Sequence, residues 1–184
     1  MNETIKVLLE RRSIRSYEDK PVAAEDIETI LNCGQFAANG GGAQPWHFTV
    51  VQNMEWMDKL TEENRKVFLA SPSEKMQARG KDPNYGAFYG APVGIIVSGN
   101  SPRATADCAN AAENMCLAAW ALGLGTCYLG SFKTCYENEA GKALFAEVGI
   151  PEGFEPMFGI SLGYAKGEPA PRVARKEGVI NYYK

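Results

Sequence analysis

Apolar residues recur along this chain with two periods, one close to 3.6 residues and one of two or fewer, and the two alternate irregularly. Ile5, Leu8 and Leu9 repeat at helical spacing and stop at a run of arginines. Beyond Pro21 a second helix is predicted. Ala24-Glu25-Asp26 supplies an acidic first turn, Ile27, Ile30 and Leu31 mark the buried face, and Gly34 ends it. Asn39-Gly40-Gly41-Gly42-Ala43-Gln44-Pro45 has the composition of a loop. Phe48 to Val51 reads as a strand, Met54 to Leu69 as a weaker helix, and Ser71 to Tyr89 as a connection without clear period. The run Val93-Gly94-Ile95-Ile96-Val97 predicts a strand buried on both faces.

From Ala104 to Leu122 small residues alternate with Met115, Leu117 and Trp120, and charges are few. A helix of that composition is expected to be buried nearly all round, and a partner subunit is a natural source of its second cover. Gly123-Leu124-Gly125 ends it. A short strand over Thr126–Leu129, a helix over Asn138–Val148 and a last strand over Met157–Tyr164 follow. Everything after Ala165 is polar and proline-bearing, so that tail either lies over a neighbour or is disordered. Strands and helices mix without regular βαβ alternation, which predicts an α+β fold. No period of 20–50 residues recurs, so a solenoid or propeller is not expected.

The 184 residues suit a single domain, 1–184, large enough to fold without a disulfide or metal. The five cysteines are odd in number and form no C-x-x-C pair, and His47 is the only histidine. A zinc site is therefore not expected, and reduced cysteines fit a cytoplasmic protein. No apolar run approaches the roughly 20 residues that span a bilayer, and the N-terminus does not read as a secretory signal. A formal net charge of -3 with no extended basic stripe argues against a nucleic-acid partner.

Against that mild acidity, Arg11, Arg12 and Arg15 with Ser13 stand out. Guanidinium forks suit phosphate oxygens, yet the same residues could be a solvated helix end. Gln44-Pro45-Trp46 is similarly two-sided. The Gln44 amide suits a heterocycle edge that carries both donors and acceptors, while the segment also reads as a loop entering a strand with a core tryptophan. His47, beside Trp46 and Phe48, reads as packed rather than catalytic. Dinucleotide, Walker and nucleophile-elbow signatures are all missing, so a reactive group borrowed from a cofactor is expected. Tyr85, Phe88 and Tyr89 stand where they could roof a pocket and stack on a flat acceptor, with core packing the other reading for Phe88.

In order along the chain, these segments resemble the FMN-dependent nitroreductase family. Arg11-Arg12-Ser13-Ile14-Arg15 resembles its opening R-R-S-x-R, and Ala37–Phe48 its second motif ending in Q-P-W. Ala91-Pro92-Val93, Asp107–Gly130, Gly149–Gly153 with Ser161–Tyr164, and Pro171-Arg172 resemble the later ones. Two departures stand out: Ala38-Asn39 replace the family's P-S, and Gly42 takes the place of an asparagine.

The resemblance implies a nitroreductase-like fold, with a central, mostly antiparallel sheet flanked by helices, in an intertwined homodimer whose tail, 165–184, is exchanged onto the partner. It implies an oxidoreductase that transfers hydride from NADH or NADPH through FMN to a small nitroaromatic or quinone-like acceptor by a ping-pong mechanism. Relatives with other flavin chemistry (ene reduction, dehalogenation, flavin reduction) and a flavin-binding redox sensor are the alternatives. Arg11, Arg12, Ser13 and Arg15 would hold the phosphate and ribityl end, completed by Arg172 or Arg175. Gln44 would meet the flavin, with Pro45 and Trp46 shaping its surroundings and Asn39 replacing the missing asparagine. Backbone N–H groups at Leu129 and Gly130 would face the flavin N5, and no acid or base of the protein's own is required.

Overall fold

A computed structural model of the chain describes residues 1–184. Four strands, β1 (Trp46–Val51), β2 (Val93–Gly99), β3 (Gly125–Leu129) and β4 (Glu155–Gly163), form one antiparallel sheet in the order β1-β2-β4-β3. Six α-helices cover it: α1 (Glu3–Glu10), α2 (Ala24–Gln35), α3 (Met54–Ala70), α4 (Glu74–Lys81), α5 (Thr105–Ala121) and α6 (Glu139–Ala146). No helix is long and apolar enough to cross a membrane.

The core follows from strand alternation. Ile95 and Val97 of β2 point to the face packed by Ile27 and Ile30 of α2 and by Ala112, Met115 and Ala119 of α5. Ile96, one residue out of step, points to the opposite face, where Trp56, Met57 and Leu60 of α3 and Leu144 and Phe145 of α6 meet Cys127 and Leu129. Both faces of the sheet are covered, which is why β2 is an unbroken apolar run and buried throughout.

Four differences from the sequence reading have physical causes. Gly34 does not stop α2, which runs on to Gln35. Its role is close approach, because a Cβ there would stand 2.8 Å from Met115 Cγ of α5. The stretch from Ser71 to Tyr89 contains a helix, α4. Arg65 of α3 ties down its end by donating to the carbonyls of Gly80 and Asp82 at 2.7 and 2.8 Å. Such long-range anchoring leaves no local period. A 3₁₀ segment, Ser131–Glu137, follows β3, and one buried side chain of α3 holds it. Asn64 donates to Phe132 O at 2.6 Å and accepts from Cys135 N at 2.7 Å. Finally, α5 is not apolar all round, since Asp107, Asn110 and Asn114 form a polar stripe along it.

All five cysteines are free, and Cys108, Cys116, Cys127 and Cys135 are buried.

Asn64 generates a test of the anchoring just beyond Gly130. Asn64→Leu keeps the branched shape of the side chain but removes both bonds to the buried backbone, at roughly 1–3 kcal/mol each. Urea unfolding should therefore show a loss of about 2–6 kcal/mol. A loss below about 1 kcal/mol would mean that the two bonds contribute little.

Candidate functional site

The arginine cluster is seated by its one apolar member. Ile14 is buried while Ser13 and Arg15 are exposed, so the segment alternates as an edge strand does. Ser13 bridges Thr126 of β3 in parallel, and Ile14 N donates to Thr126 O at 2.8 Å. Gly125 is what allows the fit: a Cβ there would lie 2.7 Å from Ile14 Cγ1. Tyr17 locks the segment from beneath. Its hydroxyl lies 2.8 Å from Ile14 O and 2.7 Å from Ser161 Oγ. A carbonyl can only accept, so Tyr17 donates to Ile14, and Ser161 donates to Tyr17. Burial pushes the phenol well above its usual range, against the opposing hydrogen bond to Ser161, so the donor proton stays in place.

On the outer side of this segment lies a cleft of about 420 Å³. Arg12, Ser13 and Arg15 line it from below, and the tail from Lys166 to Val173, with Arg175, lines it from above. The tail is attached by an antiparallel bridge between Tyr17 and Ala165 and by Lys166 N donating to Ser16 O at 2.9 Å. Arg12 donates to Ala170 O, and Arg172 to Arg11 O at 3.4 Å. Five cations (Arg12, Arg15, Lys166, Arg172 and Arg175) therefore share the cleft with one carboxylate, Glu168. None of the five forms an ion pair within the chain. Arg11 differs, for its Nε meets Glu113 Oε1 of α5 at 3.1 Å. Arg15 stacks over the Tyr89 ring at 5.9 Å. Behind it, burial pushes the Cys127 thiol up, and the Arg15 charge offsets part of that shift.

The second predicted segment is equally ordered but lies elsewhere. Asn39 accepts from Gln44 N at 3.0 Å and donates to Ala37 O at 3.2 Å, so its side chain is spent on shaping the loop. Gly40–Gly42 form a short 3₁₀ turn, with Gly41 and Gly42 at positive φ. The polar stripe of α5 pins this loop. Asp107 accepts from Gly40 N at 3.2 Å, and Asn110 and Asn114 donate to Ala38 O and Cys33 O at 3.0 and 3.2 Å. Gln44 is exposed at φ 46, Pro45 is buried, and Trp46 is half-buried beside Phe48. His47 packs edge-on against Phe154, consistent with a packing role.

Ser13 lies against β3, one edge of the sheet, whereas Trp46 opens β1 at the other edge and the opposite end. Strand spacings put them on the order of 25 Å apart, farther than one mononucleotide reaches. A single copy thus brings Arg12, Ser13, Arg15, Arg172 and Arg175 together but leaves Gln44, Pro45 and Trp46 outside that group.

Leu129 is buried in β3, and Gly130 is exposed, with nothing within 4 Å of where its Cβ would stand. Gly130 lines a second cavity, of about 660 Å³, with Lys133, Tyr136 and Phe154. Tyr85 and Phe88 are buried in the core, against Phe68 and Phe132, and together with Tyr89 they also line a cavity of about 290 Å³ beside Met57 and Thr61.

The Nitroreductase family model matches residues 8–164. The chain belongs to the nitroreductase family. Its fold agrees with a solved nitroreductase with bound FMN from Bacteroides fragilis, at 32% identity, a TM-score of 0.92 and full coverage of both chains. A protein of Archaeoglobus fulgidus provisionally named NADH dehydrogenase/NAD(P)H nitroreductase is 35% identical over 91% of this chain and 88% of its own. An FMN reductase (NADPH) of Bacillus subtilis is 30% identical over 89% of this chain and 66% of its own. For a family member, the α+β fold with an antiparallel sheet and flanking helices is the expected one.

Sequence reasoning did not find Tyr17, Ser161 and the stripe Asp107, Asn110 and Asn114. A signal for Tyr17 existed, since it is the one aromatic in a polar run just beyond the arginines. The test is Tyr17→Phe, which strips the donor from the buried Ile14 carbonyl. Urea unfolding should register a loss of about 1–3 kcal/mol, and Ser161→Ala, which spares that donor, a smaller one. Equal losses would deny Tyr17 its seating role.

Proposed function

We propose that this chain is an FMN-dependent oxidoreductase working as a homodimer, with each flavin site lined by both copies. The observation that carries this reading is the cleft where five cations without carboxylate partners meet the exposed hydroxyl of Ser13. A phosphomonoester brings about -1.5 to -2 charge at pH 7, which such a set accepts through charge-assisted hydrogen bonds. The donor set thus fits the phosphate end of FMN.

In this reading Arg12, Ser13 and Arg15 hold the phosphate and the adjoining ribityl oxygens. Arg11 joins them from its place beside Glu113, and Arg172 and Arg175 close the clamp from the tail. Gly130 lies four residues along β3 from Thr126, about 13 Å, so its unobstructed backbone N–H can serve a ring anchored at Ser13. The flavin-facing role of Gln44, with Pro45 and Trp46 around it, falls to the loop of the other copy, because the chain's own loop is too distant. Ile5, Leu8 and Leu9 of α1 are about half exposed, as are the apolar residues of the tail end, Val179 and Ile180, to a greater degree. A second copy covering these surfaces supports the intertwined dimer and the exchange of residues 165–184. Within each copy, 1–184 form one domain.

Bound there, FMN would supply the hydride-transfer chemistry that links NADH or NADPH, in ping-pong order, to a nitroaromatic or quinone-like acceptor. The protein's part is to bind, orient and balance charge, so no general acid or base is assigned. The similarity to an FMN reductase favours free flavin as a second acceptor class. Five free cysteines support a cytoplasmic setting.

The protein purified without added flavin should be yellow, bleach anaerobically with NADH or NADPH, and regain colour on adding a nitroarene or quinone. Colourless protein that also fails to bind added FMN would overturn this reading. Arg11→Ala combined with Arg15→Ala should give folded, flavin-poor protein; a full flavin complement in that variant would displace the phosphate assignment.

A further inference from the structure

Two residues other than glycine adopt left-handed backbone conformations, Gln44 at φ 46 and Tyr89 at φ 57. A side chain in that region is disfavoured, and a bulky aromatic there is held by its surroundings at a cost in strain. Gln44 already has a proposed role. For Tyr89 the sequence offers only a ring that could roof a pocket, and its neighbours show how firmly it is held. On one side Phe88 is sunk into the core against Phe132, and Ala87 N donates to Thr61 Oγ1 at 3.0 Å. On the other, Gly90 is also left-handed at φ 66, and Ala91 is fully buried and confined to extended backbone by Pro92. Tight turns bind the segment internally, with Tyr89 N donating to Gly86 O at 3.2 Å and Ala91 N to Phe88 O at 3.1 Å.

What this strain accomplishes is the placement of one ring. Tyr89 packs against the cluster of Ile14, Tyr17 and Ala91, which lies behind the arginine segment. Its face meets the Arg15 guanidinium at 5.9 Å, within the range of a cation–π contact. Arg15 has no carboxylate partner, and the ring, together with the Cys127 thiol behind it, limits where this cation points. A carboxylate in that position would have neutralised the charge the cleft needs, whereas an aromatic face orients a cation and leaves its charge for a ligand.

We infer that Tyr89 is a positioning residue for anion binding, a strained aromatic platform that holds Arg15 aimed into the cleft. This rests on the phosphate reading of Arg15 given above. Tyr89 acts through Arg15 and need not touch the ligand itself.

The experiment measures FMN dissociation constants and apoprotein melting for Tyr89→Gly, Tyr89→Ala, Tyr89→Phe, Arg15→Ala and the double variant Arg15→Ala with Tyr89→Gly. Tyr89→Gly and Tyr89→Ala should both weaken FMN binding, by about 2- to 30-fold, while Tyr89→Phe, which keeps the ring face, stays within about twofold of the parent. Tyr89→Gly should melt above Tyr89→Ala, because both lack the ring and only alanine retains the strain. The double variant should bind no more weakly than Arg15→Ala alone. Additive losses, or full FMN affinity in Tyr89→Gly beside a weakened Arg15→Ala, would overturn the role of Tyr89 while leaving the phosphate reading intact. Full affinity in Arg15→Ala would overturn both.

Discussion

A single buried isoleucine between arginines organises this molecule's chemistry. Ile14 is drawn into the space above Gly125, and its backbone N–H completes a bond to Thr126 at the open edge of β3. That placement settles three things at once. The exposed edge of β3 is covered, as sheet edges must be. Ser13 and Arg15, on either side of the buried residue, are turned outward together. The chain then continues to Tyr17, which returns to hold the Ile14 carbonyl and offers the pairing site on which the tail begins. A hydrophobic contact therefore determines where the charges go, and the charges by themselves would have no fixed position.

The resulting field is local rather than global. The chain is acidic overall, with a formal net charge of -3, yet the cleft gathers five cations around one carboxylate. The carboxylates are not absent: of the 22, six form ion pairs, four of them with lysines three or four residues away on α1, α3 and α6, and none pairs with a cation of the cleft. Exposed pairs of this kind contribute little stability. Within the cleft, Arg12 and Arg172 are held by backbone carbonyls and Arg15 by an aromatic face. A ligand anion thus meets cations that are oriented but not neutralised.

Most of the architecture was legible in the sequence because it rests on local pattern. The double-sided burial of β2 shows in Val93–Val97 and the buried run of α5 in its alanines. What was hidden depends on contacts between distant positions. Helix α4 has few apolar residues and is secured by Arg65, fifteen residues before the carbonyl of Gly80. The segment after Gly130 is ordered by Asn64, which in sequence is one polar residue among many on α3. Gly34 reads as a helix stop, and only the neighbouring helix reveals that it makes room for Met115. The departure at Asn39 is of the same type. Its side chain is engaged in building the loop that carries Gln44, a role that spacing alone cannot distinguish from ligand contact.

The two left-handed residues extend this logic to the parts of the fold that work against local preference. The buried strand β2 and the helices α2 and α5 agree with their own sequence patterns, as a smooth folding landscape requires. Gln44 and Tyr89 do not agree, and each is forced by rigid neighbours, the Gly41-Gly42 turn and Asn39 in one case and Phe88 and Pro92 in the other. Strain of this sort persists where position is worth more than stability. For Tyr89 the position in question is that of a ring beneath Arg15, and the alternatives are physically worse. A flexible loop would leave the guanidinium free to collapse onto a carboxylate such as Glu168, and a paired acid would cancel the field. The strained aromatic avoids both, so the backbone at Tyr89 carries a cost that lets a cation remain both oriented and available.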